Sequence, residues 1–357
     1  MVIGPDFKPS EFADLFADLG RRADALDQSG EWPENELMRL AESKLMGAAI
    51  GTEWGGEGFG PLDVHLIYEA MARTSLTVSL IVSQRDAAAG LIEASQSPLR
   101  SQLLSRLAAG EIFATVGIAQ LTTSRQGAVP AMRATRMEGG YRFDGLIPWC
   151  TGAARADYIV AGGATEDGRH VLALLSRDAK GVCVDPPMPL VALSASWTAS
   201  VRCDAVEVED EKILRVGEKV LTRGNHLPLG QAFLAMGLCR GAIDLIQRFQ
   251  SPAAERAFAR FDRQLEDLRT EVLRLSQPDM EAQANDAAAG IRGRCNDLAL
   301  RATHAGITLY KGTGLLAGHP AQRLAREAMF LLVWSCPNPV VDCTVDLLTE
   351  PPASCDA

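Results

Sequence analysis

The middle of the chain reads Asp144-Gly145-Leu146-Ile147-Pro148-Trp149-Cys150-Thr151-Gly152-Ala153. This stretch follows Gly139-Gly140, a pair typical of a two-residue hairpin turn, so a strand is predicted up to residue 149. Side chains two positions apart share one face of a strand, which places Trp149 beside Thr151. The pair fits a core tryptophan with a surface threonine. It also fits an aromatic side chain and a hydroxyl that flank a flat ring.

Short apolar segments with tight turns surround this strand. They cover residues 112–120, 131–137, 158–162, 171–175, 182–185 and 200–208. Gly139-Gly140 and Glu166-Asp167-Gly168 are the turn signals within this region. Roughly a hundred residues of this kind predict an antiparallel sheet or barrel.

Helical patterns lie on both sides of the strand-rich region. Before it, helices are predicted over 9–27 and 33–45, from Pro61 to about Ala94 as one long helix, and between Ser97 and Gly110. After residue 220, helices are predicted over 228–250, 253–276, 281–310 and 320–348. The predicted fold class is therefore α+β and multidomain.

The composition excludes several classes of protein. The 357 residues are 47% hydrophobic with a net charge of −10, which rules out a disordered chain and disfavours nucleic acid and anionic membranes as partners. No apolar run approaches the ~18 residues that span a bilayer and no leader is visible, so a cytoplasmic protein is expected. The eight scattered cysteines include no Cys-x-x-Cys pair, which predicts free thiols and no metal site.

A glycine-rich segment, Gly312-Thr313-Gly314-Leu315-Leu316-Ala317-Gly318, raises the question of nucleotide binding. A Rossmann fingerprint needs a preceding strand, whereas a predicted helix precedes this segment. A turn between helices is the simpler interpretation, although its backbone N–H groups could still approach a phosphate.

Several segments, in the same order along the chain, resemble motifs of the acyl-CoA dehydrogenase superfamily. Gly51-Thr52-Glu53-Trp54-Gly55-Gly56-Glu57-Gly58 resembles the first glycine turn of that family, and Glu69-Ala70-Met71-Ala72-Arg73 resembles the helix that follows it. Residues 144–153 resemble the tryptophan-bearing strand. Lys311-Gly312-Thr313-Gly314-Leu315 resembles the turn in the C-terminal bundle, and residues 319–328 resemble the next helix.

The resemblance implies a three-part architecture and a flavin. It predicts an N-terminal helical domain over residues 1–110, a middle antiparallel β-barrel over 111–218, a C-terminal four-helix bundle over 219–350 and a tail over 351–357. FAD would lie between barrel and bundle, and the chain would form a homodimer or homotetramer. The substrate would be an acyl thioester of coenzyme A or a carrier protein.

The same resemblance implies which residues would hold the flavin. Trp149 would lie against the ring, and Thr151 would reach N5 and the ring edge. The residues implied at the pyrimidine end are Gln120, Leu121 and Thr122. Those implied to approach the FAD of a neighbouring subunit are Gly312, Thr313 and Gly314.

One catalytic group of the family is missing. Its members remove an α proton from the acyl group with a carboxylate, and Trp334-Ser335 stands where an aromatic residue and a glutamate are expected. A second placement of the base, on the first helix of the bundle, reads Leu229-Gly230-Gln231-Ala232-Phe233-Leu234 without an acid. Trp334 and Ser335 are still expected to line the substrate pocket. Because a lone hydroxyl is a weak base, the base is absent or relocated, with Asp342 and His226 as candidates.

Two other regions depart from the family pattern. The loop Leu121-Thr122-Thr123-Ser124-Arg125-Gln126-Gly127 replaces the usual sequence, and Arg125 adds a charge suited to an anionic part of the substrate. The arginine by which the second bundle helix contacts the cofactor is matched by either Arg256 or Arg260.

Three hypotheses for function follow. The first is an FAD-dependent oxidoreductase that acts on an acyl thioester, with an electron acceptor that the sequence does not identify. The second is a flavin monooxygenase or oxidase on the same fold, which needs no α-proton base. The third is a non-catalytic binding protein that has lost the cofactor.

Overall fold

The computed structural model describes residues 7–122, 131–218, 220–221 and 229–349. The chain divides into two compact units. The first holds the N-terminal helices and the sheet, within residues 5–68 and 77–226. The second holds residues 69–76 and the chain from 227 onward. The domain boundaries at residues 110 and 218 remain predictions.

The helices before the sheet largely follow the sequence pattern. Their bounds are α1 Ala13–Ser29, α2 Glu34–Glu42, α3 Pro61–Thr74, α4 Leu76–Glu93 and α5 Arg100–Ala108. Two of these helices are followed by a glycine in the left-handed conformation, Gly30 with φ of 63° and Gly110 with φ of 71°. The prediction of one long helix from Pro61 is wrong because Ser75 separates α3 from α4. The Met71 carbonyl there accepts hydrogen bonds both from the Thr74 hydroxyl at 2.9 Å and from the Ser75 N–H at 2.7 Å.

An eight-stranded sheet follows these helices. Its strands are β1 Ala114–Gly117, β2 Met132–Met137, β3 Gly140–Cys150, β4 Tyr158–Ala164, β5 His170–Ser176, β6 Val182–Val184, β7 Ala199–Glu209 and β8 Ile213–Gly217. Their order is β6-β7-β3-β2-β4-β5-β8, with β1 beside β4. Most neighbours are antiparallel, whereas β1–β4 and β2–β4 are parallel. The predicted hairpin is confirmed, since Gly139 has φ of 76° and Arg133 pairs with Asp144 across it.

Both faces of this sheet are covered by apolar residues. On one face, Phe143 and Ile147 of β3 are fully buried in a cluster formed by the strands. On the other face, Leu172 and Leu174 of β5 pack in a cluster with Leu104 of α5. The strand predicted over 112–120 is shorter than expected, because its last residues form the helical turn α6, Ala119–Thr122, which packs against β3 and β4.

The second unit is helical. Its helices are α7 Gly230–Gln247, α8 Pro252–Leu275, α9 Glu281–Tyr310, α10 Pro320–Leu331 and α11 Asn338–Thr349, and the other four all pack against α9. Gly237 and Gly241 of α7 admit the backbone of residues 69–73, where a Cβ atom would overlap carbonyl oxygens. The single helix predicted over 320–348 is wrong, because residues 332–337 interrupt it. Ser335 there has φ of 45°, and Pro337 lacks the N–H that would continue a helix.

Membrane-spanning helices and metal clusters are both missing from the described residues. None of the helices described is at once long and apolar enough to cross a membrane. The same residues contain no group of three or more His, Cys, Asp or Glu side chains that could hold a metal ion. The cysteines they include are free thiols. Burial raises the pKa of the Cys150 thiol to about 12, which leaves it unreactive.

Candidate functional site

Trp149 is an exposed aromatic residue at the end of β3. It is 53% exposed, whereas its neighbour Cys150 is 1% exposed. A large aromatic side chain at the end of a strand offers an apolar surface to a ligand, and this exposure agrees with a ligand contact better than with a core position. The interpretation of Trp149 as a core residue is therefore not supported.

Thr151 lies in the turn just after β3 and is almost buried. Its hydroxyl is hydrogen-bonded to that of Thr198 at 3.2 Å, and Thr198 is bonded to the Ser196 hydroxyl at 2.8 Å. The Thr115 hydroxyl donates to the Thr151 carbonyl at 2.7 Å. The alternation of side chains along β3 ends with the strand at Cys150. Thr151 is therefore held by these hydroxyl groups, whereas Trp149 faces outward.

Gln120 on α6 contains an unsatisfied polar atom. Its amide Nε2 donates to the Gly117 carbonyl at 2.9 Å and to the Gly162 carbonyl at 2.7 Å. These two bonds fix the orientation of the amide, and its buried Oε1 has no hydrogen-bond partner among the described residues. A buried acceptor without a donor costs about 1–3 kcal/mol, so this position is suited to a ligand that carries an N–H group.

The residues next to Gln120 are only partly described. The side chain of Leu121 covers Gly162, leaving no room for a Cβ atom there. Thr122 ends α6, and its side chain lies outside the described residues. Arg125 also lies outside them, as does His226.

The glycine-rich turn of the second unit is a short 3-10 helix, Lys311–Leu315, directly after α9. A helix therefore precedes it, as predicted, and the exclusion of a Rossmann site is confirmed. Gly312 and Thr313 are exposed, and a Cβ atom on Gly312 would meet only open space. Gly314 is buried and packs against Tyr310.

A cationic pocket lies in the same unit, between α8 and α9. It has a volume of about 370 Å³, and its lining includes Arg256, Arg260 and Arg301. Arg301 is paired with Asp297 at 2.8 Å. Arg256 and Arg260 form no ion pair among the described residues, so the pocket carries uncompensated positive charge. An anionic group such as a phosphate would fit this charge.

The predicted base position lies in the break between α10 and α11. Ser335 is exposed and Trp334 is half-buried. The Trp334 ring stacks on Phe330 with centroids 5.6 Å apart. Asp342 is exposed on α11 and has no hydrogen bond or ion pair among the described residues. No described carboxylate is hydrogen-bonded to Ser335.

Arg292 on α9 links the two places where the family resemblance implies a base. Its Nη1 donates to the side-chain oxygen of Gln231 on α7. Its Nη2 donates to the Trp334 carbonyl at 2.6 Å, and its guanidinium lies 5.7 Å from the centre of the Trp334 ring. Burial lowers the pKa of Arg292. The sequence analysis did not identify Arg292. The signal that could have identified it is a charged residue between the buried apolar positions Ile291 and Cys295 of α9.

Comparisons with known proteins cover nearly the whole chain. The family model for the acyl-CoA dehydrogenase N-terminal domain matches residues 11–111. A 3-sulfinopropanoyl-CoA desulfinase of Paraburkholderia xenovorans is 23% identical over 86% of this chain and 85% of its own length. A probable acyl-CoA dehydrogenase of Mycobacterium leprae is 21% identical over 90% of this chain and 89% of its own length.

Solved structures share the fold at low sequence identity. Butyryl-CoA dehydrogenase from Megasphaera elsdenii has a TM-score of 0.82 and 19% identity, covering 98% of this chain and 100% of that chain. Dibenzothiophene monooxygenase from Paenibacillus sp. A11-2 has a TM-score of 0.79 and 15% identity, covering 96% of both chains. These solved structures show that the chain has the acyl-CoA dehydrogenase-like fold, and the N-terminal family match and the near full-length similarity to acyl-CoA dehydrogenases agree with the resemblance found in the sequence.

Proposed function

We propose that this protein is a flavin-dependent oxidoreductase that acts on an acyl thioester without the usual carboxylate base. One observation carries the flavin assignment: the buried Oε1 of Gln120 receives no hydrogen bond from any described residue, and Gln120 lies on the turn that packs beside the strand bearing Trp149. The N–H group at the pyrimidine end of a flavin would satisfy that atom. The exposed Trp149 would lie against the flat ring, and Thr151 would be the hydroxyl near its N5 edge.

The cationic pocket supports FAD as the form of the flavin, because FAD carries a pyrophosphate. Arg256 and Arg260 line a pocket with no acid paired to either of them, and a pyrophosphate would supply the missing negative charge. The exposed Gly312 and Thr313 present open backbone, which is suited to the approach of a cofactor held by a second subunit. Gly314 would maintain the turn.

Both curated relatives support an acyl thioester as the substrate, since one is named for an acyl-CoA substrate and the other as a probable acyl-CoA dehydrogenase. In this chain the backbone N–H of Ser335 would bind the thioester carbonyl, and Trp334 would line the pocket. A bound flavin would supply the acceptor for two electrons. Proton removal would be slow, because no described carboxylate lies beside Ser335.

Absorption spectroscopy of the purified protein tests the flavin assignment. We expect about one FAD per chain, released on denaturation. Trp149→Ala should lower the bound fraction, whereas Leu146→Ala, an exposed apolar change on the same strand, should leave it unchanged. Absence of flavin even after incubation with FAD would overturn the proposal and favour a non-catalytic binding protein.

A monooxygenase or oxidase is the second candidate. The lack of a described carboxylate at Ser335 favours it, because reduced flavin and oxygen require no α-proton base. Two measurements separate the candidates. Flavin reduction by an acyl thioester without oxygen supports the first, whereas product formation that needs both reduced flavin and oxygen supports the second.

A further inference from the structure

Arg292 is a buried cation without a described carboxylate partner. It is 3% exposed. Its acceptors are all uncharged: the Gln231 side chain, the carbonyls of Leu331 at 3.4 Å and Trp334 at 2.6 Å, and the Cys336 sulfur at 3.7 Å. Its Nε is buried and has no partner in the part of the chain that the structure describes. A buried water could complete these hydrogen bonds, but it could not neutralise the charge.

The other buried arginines differ from Arg292 in this respect. Arg85 pairs with Asp86 at 2.6 Å, and Arg323 pairs with Glu327 at 2.9 Å. Burying an unpaired ion is strongly unfavourable even after the protein relaxes, and the lowered pKa of Arg292 has the same physical origin. A charge kept under these conditions needs a counter-ion from another source.

The rest of the chain offers few candidates for that counter-ion. Residues 123–130 and 222–228 contain no Asp or Glu. The acids outside the described residues are Asp6, Glu350 and Asp356, all close to a terminus. Within a single chain, a ligand is therefore the main remaining source of negative charge.

The position of Arg292 indicates which ligand this is. It bonds to Gln231, in the segment of α7 implied as the second placement of the base, and to Trp334, beside the first placement. Where relatives of this fold are implied to hold a carboxylate, this chain holds a guanidinium. The charge is reversed at the point where the reacting part of the acyl group is expected.

We infer that Arg292 is a subsite for an oxyanion carried by the acyl group, a carboxylate or a similar singly charged group. The inference rests on the proposed function for its acyl-thioester ligand. Gln231 would be the exchangeable acceptor, because it is a half-buried side chain, whereas the two carbonyls are fixed in the backbone at the end of α10. Trp334 would form one wall of the subsite.

Paired ligands test the subsite by calorimetry on the full-length protein as isolated. Succinyl-CoA and butyryl-CoA differ in one carboxylate, as do glutaryl-CoA and pentanoyl-CoA, so the two pairs vary its position along the chain. We expect the anionic member of at least one pair to bind about tenfold more tightly, as a charge-assisted contact permits. Equal binding within both pairs, or no binding of any of the four, would overturn the inference.

Substitutions identify the responsible charge. Arg292→Gln should abolish the preference, so that the two members of each pair bind with equal affinity. Arg294→Gln removes the same charge two positions away, where Arg294 pairs with Glu271 at 2.9 Å, and should retain the preference. Gln231→Glu would supply an internal carboxylate, so it should raise the melting temperature and remove the preference. A preference that survives in both Arg292→Gln and Gln231→Glu would contradict the assignment.

A carboxylate of the chain itself is the competing partner. If Glu350 were that partner, Glu350→Gln and Arg292→Gln would show strong coupling in a double-mutant cycle of stability, which would also overturn the inference. Failure of the subsite can be told apart from failure of the proposed redox function, because calorimetry measures binding whether or not flavin is present. Tighter binding of the anionic ligands by a protein without flavin would support the subsite but not the redox function. Flavin reduction by butyryl-CoA, with equal binding of anionic and neutral ligands, would support only the redox function.

Discussion

Ser335 shows how a single residue limits the transfer of function from a family. It is exposed, it has φ of 45°, and its neighbour Trp334 is bonded to a buried arginine instead of a carboxylate. A general base at such a position contributes typically about 10²–10⁴ in rate. The chain therefore has the acyl-CoA dehydrogenase-like fold, with a serine at the position where the family resemblance implies a base.

Restoring the acid tests this conclusion. In Ser335→Glu, we expect flavin reduction by butyryl-CoA to become at least about tenfold faster, because a carboxylate can accept the α proton. The backbone already adopts the required conformation with a non-glycine residue. Stopped-flow absorbance without oxygen measures the rate, and Ser335→Gln is the matched control. Equal rates in the two variants would show that position 335 is not the base position.

At the scale of elements, one partly buried ion pair joins α3 to α8. Glu69 accepts a hydrogen bond from Nε of Arg269 at 2.9 Å. Burial raises the pKa of the Glu69 carboxyl, and this effect exceeds the lowering by Arg269. The folded state therefore holds a proton on Glu69 at pH values where the unfolded chain has released it.

The stability of this contact should depend on pH. A raised pKa in the folded state means that the contribution of Glu69 is greatest below its unfolded pKa and decreases as pH rises towards the folded pKa. Glu69→Gln removes the ionisable group. We therefore expect the free energy of unfolding of the wild type, relative to that of Glu69→Gln, to decrease from pH 4 towards neutrality. Urea denaturation of both proteins at several pH values measures it. A difference that does not change with pH would contradict the raised pKa.

At the scale of the whole molecule, exposed apolar residues on α11 point to self-association. Val341 is 41% exposed, Val345 is 51% exposed and Leu348 is 53% exposed. Their spacing places them along one side of the helix. A second copy of this chain is the partner we expect, as a homodimer or homotetramer.

Light scattering coupled to size-exclusion chromatography tests this expectation. Val345→Glu should lower the measured mass, because a charge in an apolar interface is costly. Val191→Glu, which makes the same change at a 72% exposed residue far from α11 along the chain, should leave the mass unchanged. A monomeric wild-type protein would contradict the prediction.

The sequence by itself determined the order of helices and strands, because hydrophobic period and turn residues act over a few positions. Gly139 produced the β2–β3 hairpin, and Gly30 and Gly110 follow the ends of their helices as local chemistry requires. The family motifs likewise placed Trp149 at the end of a strand. The flavin-contact roles remain predictions.

Only the tertiary structure decided the contacts around Arg292 and Thr151. Arg292 meets Gln231 and Trp334, which lie 61 and 42 positions away along the chain. Thr151 turns inward to Thr198, 47 positions away, because the strand ends one residue before it. The hydrophobic period predicts which face of an element is buried, but not which distant polar groups meet there. Those groups are set by the packing of several elements at once, and so is the charge of the candidate site.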